Sequence, residues 1–522
     1  MTIKILMLVI FFGVMLAIGF YCRKHATDVN GFVLGGRSVG PWLTAFAYGT
    51  SYFSAVIFVG YAGQFGWKYG IASTWIGIGN ALLGSMLAWV VLGRRTRVMT
   101  QHLDSATMPE FFGTRFQSKN LKIVASVIVF VFLIPYTASL YNGLSRLFGM
   151  AFHIDYAVCI LVMAVLTGIY VVAGGYMATA INDFLQGLIM LFGIVVVIAA
   201  VLKSNGGFLE ALNGLANVED AAASTQPGVF ASFFGPDPFN LLCVVVLTSL
   251  GTWGLPQMVQ KFYAIKSEKD VHIGTIVSTV FAIVVAGGSY FLGGFGRLFA
   301  DKIEYTAAGT PVYDSIMTSM MALLPDILVA VVIMLVLSAS MSTLSSLVLT
   351  SSSVITIDLV DELRSKKMSE KRRLLTMRVF LVFFVAVSAI IALIQYKSAS
   401  TFIAQLMGIS WGALAGAFLG PFLYSLYWKK VTKAAVWCSF IVGIGFTTGN
   451  MIAGMAGHPL IASPINAGAL AMLLSLVLVP IISLITKKPD SEYTEKIFSC
   501  YDEKVLTSRK NALEDGASQE NI

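Results

Sequence analysis

GPWLTAFAYGTSYFSAVIFVGYAGQFG, Gly40 to Gly66, is apolar and long enough to cross a membrane, yet it holds glycines at 49, 60 and 63 and a run of small and hydroxyl residues from Tyr48 to Ser54. A span that only anchors is monotonous Leu, Ile and Val, so this composition points either to local unwinding or to close helix packing. Unwinding frees backbone carbonyls that need partners in a low-dielectric setting, and a bound cation is one such partner. A second stretch, LTSLGTWGLPQM from Leu247 to Met258, puts Gly251, Gly254 and Pro256 in one span and predicts a break or kink. A pair of interrupted spans is the sequence pointer to a secondary transporter with inverted repeats, whose solute binds near the midplane between them.

The rest of the chain supports that class. Of 522 residues 57% are hydrophobic and 12% charged, with a mean hydropathy of +0.81, whereas a soluble domain is about a quarter charged. Apolar runs of at least ~18 residues recur along nearly the whole length, each sufficient for one membrane helix. They predict an all-α polytopic membrane protein of thirteen helices, at approximately 4–22, 41–66, 71–93, 122–149, 156–176, 181–202, 239–259, 272–296, 326–358, 375–396, 403–427, 434–455 and 464–486. A β-barrel is excluded, because its strands would be ~10-residue alternating segments. The first run lacks a small-x-small cleavage site and reads as a retained helix.

The interrupted spans starting at 41 and 239 are the second and seventh, a spacing that fits a five-plus-five repeat. The expected organisation is an extra N-terminal helix and inner loop (1–40), a first repeat (41–202), an outer loop (203–238), a second repeat (239–427), two further helices (428–486) and a cytoplasmic tail (487–522). With the N-terminus outside and the C-terminus inside, 28 of the 35 Lys and Arg fall on the inner side, as the positive-inside bias requires. The net charge of +8 is thereby accounted for by inner loops rather than by nucleic acid. Five scattered cysteines form no CxxC and have no histidine at ligand spacing, and HExxH and Walker patterns are missing. An enzyme is therefore not expected, nor is a cofactor or an obligate protein partner.

Two polar features lie inside spans. Asp183, in INDFLQG, is the only acidic residue well within the expected apolar spans, and reads either as a functional carboxylate or as an interfacial helix cap. SASMSTLSSLVLTSSS, Ser338 to Ser353, has ten hydroxyl side chains in sixteen positions. On a helix Ala339, Ser342, Thr343 and Ser346 form one stripe, with Ser345 beside it. Isolated serines usually bond back to their own helix, but ten together can replace the hydration shell of a hard monovalent cation.

With these residues in view the chain resembles the sodium:solute symporter family, and within it the bacterial sodium/proline branch, over about residues 5 to 490. The anchors are GGRSVGPWLTAFAYGTSYFSA, GGYMATAINDFLQG, SASMSTLSS and GALAGAFLGPFLYSLYWKKVTKAA. The resemblance implies the leucine-transporter-like fold and sodium as the co-transported ion. It implies a first sodium site from the carbonyls of Thr50, Phe53 and Ala339 with the hydroxyls of Ser342 and Thr343, and a second from Asp183, Ser342, Ser345 and Ser346. Arg37 matches a gating residue at the inner mouth, and Tyr52, Ser54, Trp253 and Gln257 are candidates for holding the solute.

Sugar recognition is not expected, because YFSAVI stands where the sugar branch has NISAEQ. The proline branch has an aspartate at Tyr52, and its aromatic pair falls at Thr248 and Thr252. The expectation is therefore a bacterial inner-membrane symporter for an amino acid or small carboxylate. Its rivals are an uncoupled channel or uniporter-like carrier and a transporter-like sensor.

Overall fold

The computed structural model describes residues 2–152, 155–220, 223–224, 226–307, 309–364, 368–398 and 403–502. Much of the expected cytoplasmic tail lies outside the described residues. Among those described, ten helices are long and apolar enough to cross a membrane, or eleven if one bent pair counts as a single span. The difference from thirteen has a local cause. Val56–His102 and Tyr156–Ser204 each run as one helical stretch past a sharp turn, at Gly70 (φ 60°, ψ −142°) and Gly175 (φ 56°, ψ −149°). Only glycine adopts such backbone readily, and a Cβ on Gly175 would also sit 2.8 Å from the Phe32 carbonyl oxygen.

Six helices position the site: α1 (Pro41–Tyr52), α2 (Tyr156–Ser204), α3 (Pro238–Gly254), α4 (Pro256–Ala264), α5 (Asp326–Val354) and α6 (Ile403–Tyr427). Pro41 opens α1 at a position where its missing N–H costs nothing. The helix ends at Phe53, which is extended (φ −87°, ψ 122°), and the chain turns helical again from Ala55 through a wide π-helical stretch, Val56–Tyr61. Between α3 and α4 Leu255 is extended in the same way (φ −85°, ψ 120°), and the two helices bend by 47°. Pro256 accounts for this second break: it has no N–H and pushes the preceding residue out of the helical region.

The glycines of the first interrupted span do not make its break. Gly49 packs on the Phe281 ring, where a Cβ would come within 2.5 Å, and Gly63 approaches the Tyr313 carbonyl oxygen to 2.9 Å on the same measure. They are close-packing residues. The unwinding falls instead at Phe53 and Ser54, in the small and hydroxyl segment.

Helix α5 occupies the centre. It packs against α1, α2, Lys119–Phe152 and Glu370–Ser398, and every residue from Ser338 to Val354 is buried. No hydroxyl of this stretch therefore faces lipid. Ser340 bonds back to the Val336 carbonyl, and Ser352 and Ser353 bond back to that of Leu349, the self-satisfied arrangement usual for serines in apolar helices.

Candidate functional site

The first cluster lies where the break after α1 meets the middle of α5. The Ser342 hydroxyl is 3.1 Å from the Thr50 carbonyl oxygen and 3.0 Å from that of Ala339. The Thr343 hydroxyl is 3.1 Å from Thr50 O, 3.3 Å from Phe53 O and 3.0 Å from Ala339 O. The break supplies the first pair of carbonyls: where the helix stops, the i+4 N–H groups that would have covered them are no longer in line. On α5 the one-turn spacing from Ala339 to Ser342 and Thr343 puts the third carbonyl beside both hydroxyls.

These five oxygens share only two hydroxyl protons. Ser342 has two acceptors in reach and Thr343 has three, so lone pairs exceed donors in a site sealed from water. The spacing also fits a small cation: oxygens ~2.3 Å from a hard ion stand ~3.3 Å apart along an octahedral edge. All five are uncharged, which suits a monovalent ion that must also leave.

Of the four residues expected to form a second sodium site, Asp183 and Ser346 come together around a lysine, while the hydroxyls of the other two are directed elsewhere. Ser342 turns to the first cluster, and Ser345 donates to the Ser342 carbonyl at 2.9 Å. Asp183 on α2 is fully buried, so it is not an interfacial cap, and neither carboxylate oxygen has a hydrogen-bond partner. The group that faces it is the Lys261 ammonium of α4, 3.9 Å from Oδ2. Lys261 donates to Ser346 Oγ at 2.9 Å, and Ser346 is in turn 2.8 Å from the Ser51 hydroxyl. Lys261 carries no sequence signal of this role, because it falls two residues beyond the expected span 239–259, where a lysine reads as an ordinary inner-loop charge.

Beside the first break lies a group of buried polar atoms without aligned hydrogen bonds, Tyr52 Oη, Ser54 Oγ, Tyr136 Oη and Trp411 Nε1, and both amide atoms of Gln257, just after the second break, are likewise buried without one. The Tyr52 and Tyr136 rings lie 5.8 Å and 5.9 Å from that of Trp411, and Ser54 adjoins the Tyr136 hydroxyl. The Tyr136 hydroxyl also faces the Trp411 indole and the Tyr52 hydroxyl faces Thr248, a set of buried polar groups in loose mutual contact of the kind that lines a ligand site. Tyr52, Ser54 and Gln257 were expected here from the sequence. Trp253, also expected here, donates its indole N–H to the Leu83 carbonyl at 2.9 Å, which leaves only its ring face to meet a solute. Tyr136 and Trp411 are additions with no sequence signal, because single aromatics in apolar helices look like ordinary core.

The two ends of the molecule differ. At one end Arg37, buried and held at φ 54°, donates to Ser105 O at 2.6 Å, Thr100 O at 3.4 Å, Thr100 Oγ1 at 3.3 Å and Tyr263 O at 3.3 Å. Burial lowers the affinity of its guanidinium for a proton, opposed by Tyr263, Asp104 and Glu110; an arginine stays charged under such a shift. Val39 pairs with Ala264 and Lys266 through two backbone hydrogen bonds beside it. At the other end a cleft of about 660 Å³ is lined by Gln64, Trp67, Lys68, Asp237, Arg297 and Tyr313, among others. The segment before α1 is thus fastened at one end, which also carries a peripheral cavity of about 400 Å³ beside Arg115 and Lys433, while the larger cleft opens at the other.

Two interrupted helices in an apolar bundle, one of whose freed carbonyls meet buried hydroxyls, are the pattern of a helical membrane transporter. The sequence matches the Sodium:solute symporter family over residues 32–443, and the chain belongs to that family. The chain is 30% identical over 514 residues to the osmoregulated proline transporter OpuE of Bacillus subtilis (strain 168), covering 98% of this chain and 100% of that one. It is also 30% identical over 450 residues to a sodium/proline symporter of Staphylococcus aureus (strain JH9), covering 84% of each. Among solved structures, the substrate-bound outward-open state of a Na+-coupled sialic acid symporter aligns with a TM-score of 0.71 at 16% identity, covering 94% of this chain and 99% of that one. Likeness at that identity speaks for the fold alone. Family membership supports sodium-coupled symport, with sodium as the co-transported ion, and the protein is a multi-pass membrane transporter rather than an enzyme.

Proposed function

We propose that this chain imports a small organic solute, an amino acid or small carboxylate, by alternating access driven by sodium. The five-oxygen cluster of Thr50, Phe53, Ala339, Ser342 and Thr343 carries the reading. A sodium ion there ties the break after α1 to the scaffold helix α5. The same break bears Tyr52 and Ser54, so binding of the ion orders the groups that meet the solute. Both ligands then favour one conformation, and each raises the affinity for the other by the same factor.

Tyr52, Ser54, Tyr136, Gln257 and Trp411 line the solute site. None is charged, so a solute carboxylate is met by N–H groups of the half-helices that begin after the breaks, where the helix dipole favours negative charge. Two of the relatives are a proline transporter and a sodium/proline symporter, which supports a solute of amino-acid size. Thirteen helices, counted by dividing the two long stretches at Gly70 and Gly175, give a five-plus-five core of the leucine-transporter type. The N-terminus faces outward and the C-terminus the cytoplasm of a bacterial cell. The Arg37 ties then close the inner side and the cleft opens outward.

Sodium-dependent thermal stabilisation of the purified protein, screened across amino acids and carboxylates, tests the reading. Sodium alone should raise the melting temperature, and one solute class should raise it further only when sodium is present. A solute that stabilises equally in sodium and in choline would sink the coupling.

A further inference from the structure

Asp183 is a fully buried carboxylate in the middle of a membrane protein, and such a charge persists only with a compensating cation. The family resemblance assigns it to a second sodium ion. The structure places something else there. The Lys261 side chain, only 2% exposed, brings its ammonium to 2.9 Å from Ser346 Oγ and 3.9 Å from Asp183 Oδ2, 5.1 Å from the centre of the Tyr176 ring. Among the described residues Asp183 has no other partner and Ser346 has only the Ser51 hydroxyl besides Lys261; Ser342 and Ser345 are turned to the Thr50 and Ser342 carbonyls.

We infer that the Lys261 ammonium is the second cation of this transporter, tethered to the chain, and that one sodium ion is bound per protein. The inference rests on the sodium coupling proposed above. The ammonium donates one hydrogen bond to Ser346, and its positive charge faces the Asp183 carboxylate and the Tyr176 ring. A sodium ion added to the same pocket would share one carboxylate with a fixed positive charge at contact distance, and like charges there repel. The tether also has a mechanical effect. It fastens α4, the half-helix after the second break, to α2 and α5 whether or not an ion is bound. The Lys261–Asp183 pair contributes no net charge, so the sodium ion at the first cluster is the only uncompensated charge in the two sites. A zwitterionic solute is then carried with one positive charge per cycle.

Equilibrium binding of radiolabelled sodium to the full chain in nanodiscs, counted per protein, tests this. Wild type should bind one ion with a Hill coefficient near one. Lys261→Met should bind two, because Asp183 and Ser346 then lack their cation, and adding Asp183→Asn should return the count to one. Wild type binding two ions, or Lys261→Met still binding one, overturns the inference alone. Wild type binding none overturns the proposed coupling and this inference with it. If Lys261→Met does not fold, Asp183→Asn in the wild-type background decides. One ion retained supports the tethered cation, and loss of an ion shows that Asp183 ligates sodium and overturns it.

Discussion

Phe53 and Leu255 adopt the same extended conformation, φ −87° with ψ 122° and φ −85° with ψ 120°, each ending one helix and preceding another. The causes differ. Proline enforces the break at Leu255, whereas at Phe53 there is neither glycine nor proline, and the carbonyls released there point at the hydroxyls of α5. A break held by tertiary partners should loosen when those partners go, and a break held by proline should not.

Thr343→Ala removes the hydroxyl shared by Thr50, Phe53 and Ala339. The half-saturating sodium concentration should rise at least tenfold, about 1.4 kcal/mol of lost ion affinity, with Ser342→Ala acting in the same direction. Sodium titrations of melting temperature measure it, and an unchanged midpoint in both variants would remove the cluster as the ion site.

Gln257→Ala and Tyr136→Phe alter the solute site without touching the ion oxygens. Solute-induced stabilisation in saturating sodium should fall severalfold, while sodium titrated alone should act as on wild type. Loss of the sodium response would mean that these residues hold up the fold rather than the solute.

Arg37→Ala cuts the donors that fasten the segment before α1 to Ser105, Thr100 and Tyr263. Amide hydrogen exchange should quicken in residues 35–40, 100–106 and 262–266, with little change around α5. Unaltered exchange there would show that the arginine is not what closes this end.

Gly66→Ala should destabilise the protein by more than ~2 kcal/mol, because no space exists for a methyl group. The added Cβ would lie 1.9 Å from the Gly293 carbonyl oxygen, and backbone cannot yield as a side chain can. A lower melting temperature with sodium response retained is the expected result, whereas Gly13→Ala, with open space around it, should be neutral.

Much was legible in the chain itself. Hydropathy gave the membrane class, because each helix must satisfy its own backbone and so needs a long apolar run. The hydroxyl stripe at Ala339, Ser342 and Thr343 was readable because helical spacing is local. So was the second break, since proline acts on its immediate neighbours. The first break was placed in the correct span but credited in part to glycines that pack instead against Phe281 and Tyr313.

What the sequence alone determined were properties set within a few residues: which segments are helical and apolar, where proline interrupts them, and which hydroxyls share a helical face. Only the tertiary structure decided which groups from distant segments meet. Lys261 reaches Asp183 and Ser346, and Tyr136 and Trp411 gather around Tyr52, through packing between helices far apart in the chain. A lysine at the edge of a span looks the same in sequence whether its ammonium snorkels to water or turns inward to a carboxylate. The choice is made by the buried charge it finds there, and that charge comes from another helix.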